Sequence, residues 1–164
     1  MGLFQTVLVV SVFLCSLVAG FLFSYAVVVM PGIKQLNDRD FIRAYQVTDR
    51  IIQNNQPLFI LVWVGSALSL IASAILGIWR LQGFDLLLLT SAALAYILVV
   101  QISTIIINLP LNNKLQSIDV GTMSEIDLKA ARNEFESRWN TSNNVRTIVS
   151  CSVSALLIIL LLRQ

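Results

Sequence analysis

Long stretches of hydrophobic residues without any charge divide this chain into four segments. Charged side chains are absent from residues 1–33, 58–79, 86–109 and 147–162. A helix that crosses the hydrocarbon core of a bilayer needs about 20 apolar residues, with a range of about 17 to 25. The first three stretches reach that length, and Arg146 and Arg163 can extend the last one toward the two interfaces. The pattern predicts spans at residues 4–30, 57–79, 85–109 and 145–162.

Helical periodicity also predicts two short amphipathic helices, in the connections after the first and third spans. Residues 38–54 carry an apolar stripe of Phe41, Tyr45, Thr48 and Ile52, and an opposite face with Arg43, Asp49 and Arg50. Residues 123–139 carry a stripe of Leu128, Ala131, Phe135 and Trp139. The predicted fold is therefore all-α, a single membrane domain over residues 1–164: a four-helix bundle with two peripheral helices on one side. A hydrophobic soluble bundle is disfavoured, because helices of this length that are apolar all round are membrane spans or deep cores.

Composition narrows the function classes. Hydrophobic residues make up 57% of the chain and charged residues 12%, whereas soluble domains are about a quarter charged. The net charge of +2 is too small to indicate a nucleic-acid partner. The chain has no histidine, which removes imidazole haem ligation, histidine zinc sites and histidine bases; we expect no metal and no cofactor. Cys15 and Cys151 differ in depth by about 13 Å in such a bundle, which exceeds disulfide reach.

The distribution of Lys and Arg suggests an orientation in the membrane. The connections after spans one and three hold most of these residues: Lys34, Arg39, Arg43, Arg50, Lys114, Lys129, Arg132, Arg138 and Arg146. The opposite side has only Arg80 and Arg163. Because such an excess marks the cytoplasmic side, we expect cytoplasmic connections and both termini outside. The connections carry nearly as many acids, so a folded cap that crosses as a unit is the alternative.

Span three contains a polar face. Gln101, Thr104 and Asn108 are separated by three and four residues and share one side of the helix. Polar residues within a membrane usually face the bundle and pair across it. Spacing alone favours helix–helix adhesion, with a polar-lined pocket as the alternative.

Two polar clusters are expected to meet at one end of the bundle. The first is the run 108–112, Asn-Leu-Pro-Leu-Asn, where Pro110 is expected to stop the third span because it has no N–H to donate. The second begins span four, with Trp139, Asn143, Asn144 and Arg146. Arg146 offers five donors and no acceptor, so amide oxygens of Asn108 and Asn112 are its natural partners, and Trp139 can cover it by a cation–π contact. The alternative is that Arg146 is only an interfacial anchor.

These clusters also carry a resemblance to a known family. The matching features are Met30-Pro31-Gly32, Gln46, Asn54-Asn55, Asn108-Leu109-Pro110-Leu111-Asn112, Trp139 and Asn144-Val145-Arg146-Thr147. With this set the chain resembles the anthrone-oxygenase-like family of small four-span membrane proteins, over nearly its full length. The Asn-x-Pro-x-Asn run with the downstream Trp and Asn-x-Arg is the more specific part, whereas Met-Pro-Gly alone is weak.

The resemblance implies an enzyme that oxidises an apolar aromatic with oxygen and without a bound cofactor. Characterised members convert an anthrone to an anthraquinone, and such chemistry needs an aromatic enolate. Arg146, Asn108 and Asn112 would be the catalytic residues that stabilise this anion. The residues expected to bind the substrate are Trp139, Asn144, Gln101, Thr104 and Pro110. An obvious base is missing, because no acid lies within a span; Tyr25, Tyr45 and Tyr96 are the candidate proton carriers.

A second class of function is a membrane protein without catalysis, either an accessory subunit or a binder of lipid or quinone-like molecules. Small residues recur at four-residue spacing in spans one and two, at Ser16, Gly20, Ser24, Gly65, Ser69, Ser73 and Gly77. Such ridges allow helices to approach closely in lipid, within the monomer or in a homodimer or larger complex. The expected partners are thus the bilayer, an apolar aromatic or quinone-like molecule, and a second copy of the chain. Transport is a weaker option, because one polar stripe provides little pathway.

Overall fold

The computed structural model describes residues 2–164, and all regular secondary structure in that range is helical. Five continuous helical rods follow one another: α1 Leu3–Ile33, α2 Asp38–Gln53, α3 Pro57–Gly77, α4 Gly83–Gln116 and α5 Glu125–Leu162. All but α2 are long and apolar enough to cross a bilayer. The predicted fold class, an all-α membrane bundle of four spans, is confirmed.

The four long helices alternate in direction around a shared apolar core. α1 packs extensively against both α3 and α5, and α4 completes the bundle by packing on α5 and α3. The core includes Leu8, Leu70, Leu89, Tyr96 and Leu157, each with a fully buried side chain. Large aliphatic and aromatic residues such as Phe13, Leu68 and Ile148 are instead well exposed on the outer surface, as expected for helices that face lipid tails.

α5 is the longest helix and is much longer than a bilayer requires. α5 has 38 residues, about 57 Å at 1.5 Å per residue, against a hydrocarbon core of about 30 Å. We expected a peripheral helix at 123–139 and a separate span at 145–162; the structure has one uninterrupted helix instead. The polar stretch between them contains no Gly or Pro, so nothing breaks the backbone ladder there.

Pro110 does not end the third span, contrary to the prediction. The helix changes from α to π over Tyr96–Ile102 and Thr104–Asn108, and a new α-helical segment, Leu109–Gln116, places Pro110 in its first turn. Proline is tolerated there because the first backbone N–H groups of an α-helical segment need no partner inside it. The helix therefore continues beyond Pro110 to Gln116.

A second hydrophobic core lies outside the first. It is formed by α2, the C-terminal end of α4 and the N-terminal half of α5. Phe41, Ile42, Leu115, Leu128 and Phe135 are buried in it. Its rim is tied by ion pairs, Arg39 to Glu125 at 2.8 Å and Arg132 to Asp38 at 3.1 Å. We call this unit the cap; it covers one end of the bundle.

Candidate functional site

A cavity of about 430 Å³ lies where the cap meets the bundle, and all five helices contribute to its wall. Its apolar side is lined by Phe21, Leu22, Tyr25, Ile52, Phe59, Ile60, Trp63, Ile105, Leu109 and Trp139. Its polar side is lined by Tyr45, Asp49, Gln53, Asn55, Thr104, Asn108, Asn112, Asn113, Asn143 and Arg146. Small-molecule sites in proteins have volumes of about 300 to 1,000 Å³ and a predominantly apolar wall; this cavity has such a volume, but half of its lining residues are polar.

Two π-helical turns shape this cavity. Tyr25 begins the π-turn Tyr25–Val29 in α1, and Thr104 and Asn108 begin and end the second π-segment of α4. A π-turn bonds each N–H to the carbonyl five residues earlier, and such turns occur mostly at functional sites. Here they bring one aromatic and two polar side chains to the cavity wall.

Five aromatic rings form a continuous wall along one side. Trp63 stacks on Phe59 at 5.5 Å between centroids, Phe59 meets Phe21 edge-on at 5.2 Å, and Phe21 contacts Tyr25 at 4.9 Å. Tyr25 then contacts Trp139 at 5.6 Å. Rings pack favourably on other rings, so this wall suits a flat aromatic molecule.

Arg146 is buried at the polar end of this wall, with 3% of its surface exposed. Its Nη1 donates to Thr104 Oγ1 at 2.9 Å and its Nη2 to Asn143 Oδ1 at 3.0 Å. The guanidinium also lies 5.8 Å from the Trp139 ring centroid, the cation–π contact expected from the sequence. The amides of Asn108 and Asn112 do not accept from Arg146; the acceptors are Thr104 on α4 and Asn143, which lies one turn earlier on α5 itself.

Two buried donors next to the cavity lack an acceptor. Asn108 accepts a hydrogen bond from Ser142 Oγ at 2.6 Å through Oδ1, but its Nδ2 has no partner, and neither has Arg146 Nε. Within residues 2–164 the remaining buried side-chain polar atom without a partner is Ser154 Oγ, which does not line the cavity. A buried donor without a partner costs about 1 to 3 kcal/mol, and more if charged. Asn108 Nδ2 and Arg146 Nε are fully buried themselves, so a ligand oxygen in the cavity would reach them, and remove this cost, only after neighbouring side chains move.

Asp49 supplies the acid that the sequence analysis did not find. We assigned it to the polar face of α2, yet it is 3% exposed and lines the cavity. Its carboxylate accepts hydrogen bonds from Gln53 at 2.6 Å, Asn112 at 2.9 Å and Gln116 at 3.2 Å. Within residues 2–164 it has no salt-bridge partner. Burial raises the pKa of Asp49 above its ordinary value of 3.8, although the three amide donors act in the opposite direction.

Asn112 connects this carboxylate to the aromatic side of the site. Its Oδ1 accepts from the Tyr45 hydroxyl and from Trp139 Nε1, both at 2.9 Å. Because two donors fix the oxygen, the amide nitrogen must face Asp49. Burial and the Asp49 carboxylate raise the pKa of Tyr45 well above its ordinary value of 10.0, so the Tyr45 hydroxyl keeps its proton and holds Asn112 in this orientation.

The structure brings together five of the eight residues predicted for the site, and three lie elsewhere. Thr104, Asn108, Asn112, Trp139 and Arg146 line the cavity, whereas Gln101, Pro110 and Asn144 do not. Gln101 donates to the Trp63 carbonyl at 3.3 Å, deeper in the bundle. Pro110 and Asn144 are exposed, because each helical residue is rotated by about 100° from the last. Asn143 takes the inward position that we assigned to Asn144.

A signal for Asp49 was present in the sequence. Phe41, Tyr45 and Asp49 are spaced by four residues, so the acid lies on the same stripe as two buried aromatic residues. The four-residue spacing from Phe41 and Tyr45 therefore indicated that Asp49 is buried with them, whereas we had placed it on the polar face with Arg43 and Arg50.

The fold defines a four-span membrane protein with a cavity between the cap and the bundle. The sequence model of the anthrone oxygenase family matches residues 41–156, a range that contains Asp49, Asn108, Asn112, Trp139 and Arg146. The chain belongs to the anthrone oxygenase family. No curated protein and no solved structure matches it.

Proposed function

We propose that this protein oxidises an apolar, fused-ring aromatic ketone of the anthrone type with molecular oxygen, without a cofactor. The observation that carries the proposal is the juxtaposition of opposite charges that do not pair. A buried carboxylate, Asp49, and a buried guanidinium with a free donor, Arg146, line one aromatic-walled cavity. Perturbed ionisable groups in a cleft of this kind are typical of catalytic sites.

The first step is removal of a proton from the methylene carbon opposite the ketone. Asp49 is the base: its raised pKa makes the carboxylate a better proton acceptor than an exposed aspartate. The electron pair of the broken C–H bond moves through the ring to the ketone oxygen, which becomes an enolate. Arg146 Nε and Asn108 Nδ2 are the free donors for this oxygen, and donors that meet charge as it develops contribute most to catalysis.

The second step forms the new carbon–oxygen bond. The enolate transfers an electron to O₂, and the resulting radical pair combines at the former methylene carbon to give a peroxide, which takes the proton from Asp49. Asp49 then removes the remaining hydrogen from that carbon, the O–O bond breaks, and the leaving hydroxide takes this proton as water. One anthrone and one O₂ thus give one anthraquinone and one water, and Asp49 is again ionised.

The shape of the cavity fits this substrate class. The aromatic wall from Trp63 to Trp139 offers ring faces and edges to a flat polycyclic molecule. Arg146 and Asn108 would meet the ketone oxygen, and Asp49 would meet the methylene carbon on the opposite edge of the central ring. Apolar surroundings also strengthen each electrostatic interaction that the anion makes.

Reconstitution in lipid nanodiscs tests the proposal. We expect anthrone consumption faster than in empty nanodiscs, with one O₂ consumed for each anthraquinone formed and no release of hydrogen peroxide. A rate equal to that of empty nanodiscs would contradict the enzymatic function. Saturable binding of an anthraquinone without oxygen consumption would instead support the second candidate, a quinone-like ligand binder, since the free donors at Arg146 and Asn108 fit a quinone carbonyl equally well.

A further inference from the structure

We propose that the cavity is filled sideways from the hydrocarbon of the bilayer, through an opening between the first turns of α3 and the π-segment Thr104–Asn108 of α4. The ligand that uses this opening is a fused-ring aromatic ketone or quinone dissolved among the lipid tails. The class of ligand rests on the proposed function. The route rests on the geometry of the cavity wall.

The first observation is that part of the cavity wall is also the outer surface of the bundle. Ile60 on α3 and Ile105 and Leu109 on α4 line the cavity, yet they expose 41%, 61% and 44% of their surface. The lining residues on the other side, such as Asn143 and Arg146, are buried. A residue that borders a cavity and the exterior at once marks its rim.

The second observation is that α3 and α4 separate toward the cavity. Away from the cavity they are in close contact, since a Cβ added to Gly77 would lie 2.7 Å from Leu89 Cδ2. Midway, Ser66 and Tyr96 hydroxyls are 2.7 Å apart. Packing between α3 and α4 is greatest along Gly83–Ala95, slight along Tyr96–Ile102 and weaker still along Thr104–Asn108. The gap between the two helices therefore coincides with the exposed rim.

The third observation is the chemistry of the rim. Its three aliphatic residues are in or beside the apolar spans, and the exposed amides Asn55 and Asn113 lie toward the cap. An apolar polycyclic ligand concentrates in the bilayer, because each buried CH₂-sized group gains about 0.8 kcal/mol on leaving water. An opening with an apolar rim on the side of the spans therefore faces the region where the ligand is most concentrated. The rings enter first, and the ketone then reaches Arg146.

The test measures how fast a ligand enters, independent of turnover. The chain has three tryptophans; Trp63 and Trp139 line the cavity, and Trp79 does not. In a Trp79→Phe background in nanodiscs, tryptophan quenching by an anthraquinone after rapid mixing reports arrival in the cavity. Ile60→Phe with Ile105→Phe narrows the opening.

The matched control is Leu61→Phe with Ile106→Phe, which adds the same bulk at neighbouring lipid-facing positions that do not line the cavity. We expect the narrowed opening to slow quenching at least about tenfold and the control pair to change it less than about twofold, within the one to three decades over which association rates of related complexes vary. Ile60→Ala with Ile105→Ala widens the opening, and we expect faster quenching.

The opposing route runs from water past the exposed Asn113. The proposal would be overturned if Asn113→Phe slowed quenching and the double variant Ile60→Phe with Ile105→Phe quenched at the wild-type rate. Equal rates in the narrowed and control pairs would overturn it as well. Quenching needs no turnover, so the two proposals can fail separately. If the protein binds the quinone by this route but does not oxidise anthrone, the proposed function is wrong and the lateral opening is supported.

Discussion

Two groups of polar side chains that are buried or half-buried in this protein differ in how completely they satisfy one another. The group deeper in the bundle, which we call the inner cluster, pairs Ser11 with Ser73 at 2.9 Å and Ser66 with Tyr96 at 2.7 Å, and Gln101 donates to the Trp63 carbonyl at 3.3 Å. These side chains join neighbouring helices where the core is tightly packed and do not line the cavity. Such pairs act as adhesion between spans.

The second group, which we call the cavity cluster, consists of Asp49, Asn108, Asn112, Asn143 and Arg146. Among residues 2–164, Asn108 Nδ2 and Arg146 Nε have no partner, and Asp49 is held by neutral amides without a counter-charge. The comparison teaches that polarity within the membrane does not by itself mark a site. The site that we propose rests on a further feature, unpaired polar atoms in residues that also line an open volume.

Among substitutions in the two clusters, we expect Asp49→Asn to cause the largest loss of activity. The substitution keeps size and removes the base, so we expect oxidation of anthrone to fall about 10²- to 10⁴-fold, the usual contribution of a positioned base. Quinone formation in nanodiscs, corrected for the rate without protein, measures the loss. Retention of more than half of the wild-type rate by a folded Asp49→Asn protein would rule out Asp49 as the base.

Arg146→Met is expected to lower the rate about 10²- to 10³-fold, the effect of removing one preorganised donor to an oxyanion. Arg146→Lys keeps the charge and loses the Nε donor, so its rate should lie between those of wild type and Arg146→Met. Kinetics with saturating anthrone separate this effect from weaker binding. Equal rates for the Lys and wild-type proteins would show that charge alone, and not the free Nε donor, supports the reaction.

The pH dependence of the rate should report Asp49 directly. A base acts only when ionised, so the rate rises about tenfold per pH unit below its pKa and becomes constant above it, with a midpoint higher than the ordinary 3.8. Gln116→Met removes an amide donor that stabilises the carboxylate, and it does not line the cavity. We expect its midpoint at higher pH than in wild type; an unchanged midpoint would argue that another group controls the profile.

Tyr96→Phe tests the inner cluster and should have the smallest effect. It removes the hydrogen bond to Ser66, and interhelical bonds of this kind contribute about 0.6 kcal/mol on average. We expect slightly weaker resistance to unfolding in denaturing detergent and an unchanged rate of anthrone oxidation. A large loss of activity with normal stability would instead place Tyr96 in the catalytic path and weaken the distinction between the clusters.

Part of the site could be predicted from the sequence because its signals are local. A proline between two asparagines after a charge-free stretch, followed by Trp139 and Arg146, indicated that polar groups meet at one end of the bundle. The partners of Arg146 could not be obtained in this way. Thr104 and Asn143 reach it because a π-segment rotates α4 and because α5 continues unbroken through residues 139–146.

By itself, the sequence determined the class of the molecule: the lengths and hydrophobicity of four segments require helices that span a bilayer, since each backbone group must be satisfied within its own helix. Only the tertiary structure decided which side chains meet. The rotation of each helix about its axis, the two π-turns and the docking of α2 place Asp49 inside and Asn144 outside. These depend on packing between segments far apart in the chain, which periodicity within one segment does not specify.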